Sequence, residues 1–429
     1  MNIIETHLGG MLVIFGVTTF VQFLTLSGRV NNIADPLVFF ALTSSFTLGL
    51  AYYTTDSQAL FLRIVGYYLC FYAGFLIATK PLRRGMKPLQ MSFLPQRFRV
   101  IVLVSCMVFL AANVITWSKA GVILLSEDPS LQKSAAYAGG LGFVRRINWG
   151  LGVFVLVAAL YWWLWERSRT ALVCLCVALL TSVTGGGKSA LLPMIYALGL
   201  FFVKPFSPAS NRDLAPTRKI LFVAAALAAI PIAAVLMIEG SADQSAANAL
   251  LVRLFFSGDI LLYWGQADLR AHFSIVGPVD YVRDSFGSLL GMLRLIEYST
   301  PIGNQFVQYF LPVDSDFSES LGPNLPFYVR GELYFGPWFA PFHALVIGYI
   351  VGRVRMFFVT YRGTSLLRYS ISVAIICLVT ALPVEEGLAI GQLTDFLLVL
   401  ALVMGIAHLF TYRSSESLGP APRFTDQKS

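Results

Sequence analysis

Long apolar blocks separated by short polar joints run along most of the chain. A helix needs about 20 mainly apolar residues to cross the hydrocarbon core of a bilayer. Eleven blocks approach that length: 8–26, 36–53, 59–79, 98–117, 150–165, 170–184, 188–203, 219–239, 333–352, 366–383 and 390–410. The pair 170–184 and 188–203 is short and joined only by Gly185-Gly186-Gly187, so it reads either as two tilted helices or as a hairpin that re-enters the membrane. Two stretches between blocks are long, 118–149 and 240–332. The second carries helical periodicity over 247–264 and 281–298. In the latter, Phe286, Leu289, Leu290 and Leu293 recur at i, i+3, i+4 and i+7, which predicts a helix lying on a membrane surface. Residues 301–326 read as an irregular loop. The pattern predicts an all-α, polytopic helical bundle: one transmembrane domain over 1–413 with two external loops, then a short polar tail, 414–429.

Composition agrees. Of the 429 residues, 57% are hydrophobic and 13% charged, and the mean hydropathy is +0.71. A soluble domain carries about 25% charged residues. Soluble domains, disorder and a secreted disulfide scaffold are thereby excluded. The five cysteines (Cys70, Cys106, Cys174, Cys176, Cys377) all fall inside apolar blocks, where they read as small packing residues. Residues 1–10 hold no Lys or Arg, so the first block reads as a retained helix and not as a signal peptide.

The net charge of +8 would point to nucleic acid in a soluble chain. Mapped onto the blocks it means something else. With the N-terminus outside and the C-terminus inside, 20 of the 31 Lys and Arg fall in cytoplasmic segments and 10 in external ones, with Arg63 inside the third block. Of the 23 acidic residues, 18 fall outside. This is the positive-inside pattern. The basic surplus orients the chain, and no nucleic acid is implied.

Gly185-Gly186-Gly187-Lys188-Ser189 departs from a phosphate-binding loop, because that motif needs glycine where Ser182 stands and a strand before it. The turn still offers free N–H groups and an ammonium to an anion, or it is a plain tight turn with a snorkelling lysine. In the large loop Arg253 sits in an apolar run, and Arg330 and Glu332 adjoin the block 333–352. Charges held near hydrocarbon cost a few kcal/mol unless paired or used. Arginines on a lipid-facing external loop suit phosphate or pyrophosphate. There is no HExxH, no Cys/His metal spacing, no GxSxG and only four histidines, so no metal site is expected. Gly348 and Gly352 form a GxxxG, read as close helix packing.

The run from Pro323-Asn324-Leu325-Pro326-Phe327-Tyr328-Val329-Arg330 through Gly331-Glu332-Leu333-Tyr334-Phe335-Gly336-Pro337-Trp338 leads directly into an apolar helix. It resembles the C-terminal signature of the bacterial O-antigen (Wzy-type) oligosaccharide repeat-unit polymerases. The glycine turn with Lys188 is similar to that family's Thr-Gly-x-Arg turn, with Lys in place of Arg. The resemblance implies a GT-C-like membrane glycosyltransferase without metal or cofactor, working at the periplasmic face of a bacterial inner membrane. Its substrates would be undecaprenyl-pyrophosphate-linked glycans, and a protein that regulates chain length is an expected partner. Lys188, Arg253, Arg270, Arg283, Arg330 and Tyr334 are then expected to bind pyrophosphate or substrate. The general base is expected to be Glu332, with His272 or Asp259 as alternatives. Two rivals stand beside this reading: an O-antigen ligase acting on lipid A core, and a non-catalytic exporter.

Overall fold

The computed structural model describes residues 3–30, 32–82, 89–91, 96–126, 132, 136, 141–185, 192–208, 258–297, 300–310 and 322–416. Among these residues seven helices are long and apolar enough to cross a membrane: α1 (Ile3–Leu26), α2 (Pro36–Thr54), α3 (Gln58–Ala78), α4 (Gln96–Ala120), α5 (Gly142–Glu166), α12 (Phe327–Thr360) and α14 (Glu386–Glu416). Three shorter apolar helices accompany them: α6 (Arg169–Thr184), α7 (Leu192–Val203) and α13 (Leu366–Val379). The expected block 219–239 lies outside the described residues. Four further short helices follow in the large loop: α8 (Ile260–Trp264), α9 (Ala267–His272), α10 (Pro278–Met292) and α11 (Ile302–Phe310). A small parallel pairing of Leu89–Met91 with Phe206–Pro208 is the one addition to the all-helical expectation among the described residues.

Local signals set the helix starts. Asp35 caps α2 by accepting from the Leu37 N–H at 3.1 Å, with Pro36 at the first helical position. Ser57, Ser168 and Ser365 cap α3, α6 and α13 in the same way. Arg167 adopts the left-handed region (φ 54), which ends α5 and lets α6 begin two residues later. Inside α12, Gly336 (φ +72) and Pro337 break the ladder, dividing a short leading segment from the long apolar part.

Among the described residues packing gives two large cores and a small cluster of Met11, Phe46 and Leu50 between α1 and α2. One is built by α4, α5, α6, α7, α13 and α14 around Phe109, Phe154, Tyr161, Phe201, Tyr369 and Phe396. The other joins α2, α3 and α12 to the loop helices around Phe40, Phe71, Phe75, Trp264, Phe306 and Phe327. The closest approach is between α3 and α12. A Cβ on Gly348 would lie 1.9 Å from the Phe71 carbonyl oxygen, and one on Gly74 would lie 2.0 Å from that of Leu345. The glycines of the GxxxG are thus where backbone meets backbone.

Buried charges mark the two ends of the bundle. At one end Arg355 makes two bonds to Asp35 (2.9 and 2.5 Å) and one to the Arg29 carbonyl (2.7 Å), while Lys204 donates to the Val359 carbonyl at 2.7 Å and also to that of Tyr361. These contacts tie the α1–α2 turn and the end of α7 to the end of α12. Arg99 pairs with Glu166. The opposite end holds the pairs Arg146–Asp395 (2.5 Å) and Arg63–Glu332 (2.9 Å). All but Arg63–Glu332, whose arginine lies inside the third apolar block, join segments that the charge count assigns to one side.

Helix α10 is amphipathic as expected, with its polarity facing inward. Tyr281, Asp284 and Ser285 turn toward α12 and α14, and Ser285 is buried. Val279 (81% exposed), Val282, Phe286 and Leu293 face away from the protein. An outward apolar stripe suits a helix that meets lipid on one side and a polar cluster on the other.

Candidate functional site

The first turn of α12 carries Arg330 into the protein, where it is 1% exposed. Its Nη1 meets Asp284 Oδ2 at 2.7 Å, its Nη2 donates to Ser285 Oγ at 2.7 Å, and its Nε lies 3.6 Å from Glu386 Oε2. The rings of Tyr281 and Tyr334 flank the guanidinium at 5.2 and 5.3 Å. Glu386, with no exposed surface, also lies 3.2 Å from His343 Nε2 and accepts from the Tyr281 hydroxyl. Burial, and then the Glu386 charge, push the Tyr281 hydroxyl above its ordinary range, so it stays protonated and donates. Two glycines make room. A Cβ on Gly387 would sit 2.6 Å from Arg330 Nη1, and one on Gly331 would sit 3.1 Å from His343 Nδ1. Three helices therefore meet through one cation, two carboxylates and a histidine. Arg330 is charge-compensated in this arrangement, which makes it an organising centre for α10, α12 and α14.

Glu332 is two residues further along and points to the other side of the helix. It pairs with Arg63 of α3 at 2.9 Å, and its second oxygen is buried without a hydrogen-bond partner. The sequence places Arg330 and Glu332 in one site; the helix puts them in two. Arg330 and Tyr334 do come together. Arg270 is committed elsewhere: its Nη2 donates to both Asp56 oxygens (3.0 and 2.7 Å) and its Nη1 to the Trp264 carbonyl (2.7 Å), pinning α9 to the α2–α3 turn. Arg270→Lys is expected to lose the simultaneous hold on Asp56 and the Trp264 carbonyl at this partly exposed site and cost about 1 kcal/mol, read as a small fall in the melting midpoint of the detergent-solubilised protein. Arg283 is exposed and makes no ion pair with a described residue. His272 is exposed too, its ring against Tyr309 on an open groove. Asp259, just ahead of α8, is largely buried, and that burial raises its carboxyl to about 6. Lys188 and Arg253 lie outside the described residues. The expected pyrophosphate ligands do not converge as one set among the residues described.

Beside the Arg330 cluster lies a partly open cavity of about 420 Å³, lined from α2, α4, α5, α6, α7, α13 and α14. The shortness of α6 and α7 shapes it: Thr181, Ser182 and Gly185 at the end of one, and Leu192, Pro193 and Tyr196 at the start of the other, line it. Phe39, Phe40 and Trp149 supply further aromatic surface, and Asn113, Asn148, Asn324 and Gln392 supply amides. Glu385 reaches the same wall. Its Oε2 accepts from the Leu325 N–H at 2.9 Å. Burial pushes its carboxyl up to about 7. The Leu325 N–H and the Arg330 charge oppose that rise, and Asp284 and Asp259 add to it. Arg145 lies over the Trp149 ring at 4.9 Å and makes no ion pair with a described residue. Stacking occupies a guanidinium face and not its edge, and the Arg145 Nε is buried without a hydrogen-bond partner.

Glu385, Glu386, Asp284, Tyr281, His343 and Arg145 are the site residues that pattern reading passes over. The tandem Glu385-Glu386 after Pro383, opening an apolar helix, was the signal available; acidic residues at a span end look solvated until a neighbouring helix covers them. Among the described residues no group of three His, Cys, Asp or Glu is placed to hold a metal ion. No protein-family model, curated protein or solved structure matches this chain.

Proposed function

We propose that this protein is a glycosyltransferase that polymerises oligosaccharide repeat units carried on undecaprenyl pyrophosphate, at the periplasmic face of a bacterial inner membrane. The observation that carries the reading is the cavity: a 420 Å³ space among apolar helices, walled by aromatic rings, amides and a carboxylate. That volume falls within the roughly 300–1,000 Å³ of small-molecule sites. Aromatic faces and amide side chains suit the C–H faces and hydroxyls of sugars, and surrounding apolar helices suit a substrate with a polyprenyl tail. The reading carries with it a GT-C-like bundle of eleven spans, an external N-terminus, a cytoplasmic C-terminus and a chain-length regulator as partner. The signature around Arg330, Glu332 and Tyr334 supports it from the side of resemblance.

The chemistry needs no metal. The acceptor hydroxyl attacks the anomeric carbon, and lipid pyrophosphate departs with the bonding electrons, so cations must meet growing negative charge. A carboxylate or imidazole takes the hydroxyl proton. The deciding experiment uses purified full-length protein in detergent with lipid-linked saccharides extracted from cells that lack it. A ladder of longer glycans without any ion gradient is the expected result. Absence of elongation under these conditions overturns the reading, and movement of unextended glycans across sealed vesicles points to export.

A further inference from the structure

We propose that this cavity holds the reacting acceptor sugar, with Glu385 as the proton acceptor and Arg145 as a ligand of the departing pyrophosphate. The inference rests on the glycosyl-transfer reading above and assigns its chemistry to residues outside the resembling segment's own Arg330 and Glu332. Three observations carry it. Glu385 is the carboxylate lining the cavity, fixed by one backbone N–H on Oε2, which leaves Oε1 available to a ligand. Arg145 rests on Trp149, itself part of the wall; its charge acts on Asp395 alongside that of Arg146, but among the described residues only Arg146 makes the close ion pair with that carboxylate. Arg330, by contrast, is balanced by Asp284 and Glu386, and Glu332 is held by Arg63.

The step balances. The acceptor oxygen forms a bond to the anomeric carbon as the bond from that carbon to the phosphate oxygen breaks. The electron pair leaves with the pyrophosphate, whose added charge the Arg145 guanidinium meets. The hydroxyl proton passes to Glu385, which returns it to solvent after product leaves. The groups acting on Glu385 from its neighbours are the Leu325 N–H, Arg330 on α12, Asp284 on α10 and Asp259 ahead of α8. Together with burial they hold the carboxyl at about 7. The base works only when ionised, so turnover is expected to rise as pH increases through that value.

The test uses the detergent-purified full chain and extracted lipid-linked saccharides, with elongation kinetics from pH 5.5 to 8.5 and saccharide binding by native mass spectrometry. Glu385→Gln keeps an oxygen for the Leu325 N–H, so the fold is retained. Its kcat is expected to fall about 100-fold or more with KM little changed, and the rising limb of the pH profile is expected to vanish. Arg145→Gln is expected to lower kcat by a similar order, because the charge it meets develops in the transition state. Gln392→Leu is expected to weaken binding about tenfold by removing a wall amide. Retention of wild-type kcat and pH profile by Glu385→Gln overturns the proposal. So does a loss confined to Glu332→Gln, or binding unaffected by Gln392→Leu. If the wild type binds saccharide without elongating it, the glycosyl-transfer reading itself fails, whatever the variants do.

Discussion

Arg330→Met is expected to lower stability by about 3 kcal/mol, because it takes the arginine charge from Glu386, which has no exposed surface and keeps only His343 and the Tyr281 hydroxyl, and from the partly exposed Asp284. Methionine fills much of the volume, so the loss is electrostatic and not a cavity effect. The measurement is the apparent melting midpoint of the detergent-solubilised protein, followed by intrinsic fluorescence and size-exclusion profile. Arg330→Lys is expected to fall between, since an ammonium cannot span Asp284, Ser285 and Glu386 as the planar fork does. The double variant Arg330→Met with Glu386→Gln should recover part of the loss, giving a coupling energy between the two positions. A midpoint equal to the wild type for Arg330→Met would show that the cluster contributes no net stability.

The second large effect is expected at the α3–α12 seam. Gly348→Ala must push a methyl group into the space held by the Phe71 carbonyl, 1.9 Å from where the Cβ would be built. Backbone cannot yield as a flexible side chain does, so the helices must separate, at a cost of about 3 kcal/mol or more. The shift would also disturb Arg63–Glu332, which bridges the same two helices. Gly405→Ala on α14 is the control, because its added Cβ meets nothing within 4 Å. If Gly348→Ala melted with the control, the close approach would have to be relieved by a rigid slide of α12.

How far the site was legible follows from what each residue's neighbours are. Arg330 stands out in the sequence because a charge beside an apolar block is costly, and Tyr334 only through the resemblance of the run 323–338. Glu332 was singled out by the same reasoning, yet its position two residues from Arg330 sends it across the helix to Arg63. Arg270 looked like an anion ligand in a lipid-facing loop, and only the fold brings Asp56 to it from more than 200 residues away. Glu385, Arg145 and His343 carried no local signal strong enough to stand out. Their environment comes from helices distant in sequence.

The chain by itself determined that this is a helical protein built from membrane-length apolar segments, where most of those segments begin and end, and which joints carry the basic surplus. Those properties depend on contiguous hydropathy, capping residues and local charge, all written in order along the sequence. The tertiary structure alone decided the pairing of α3 with α12, the inward polarity of α10, the compensation of Arg330 and the cavity with Glu385 in its wall. These depend on which helix lies against which, and a buried charge acquires its meaning from the partner that the fold delivers.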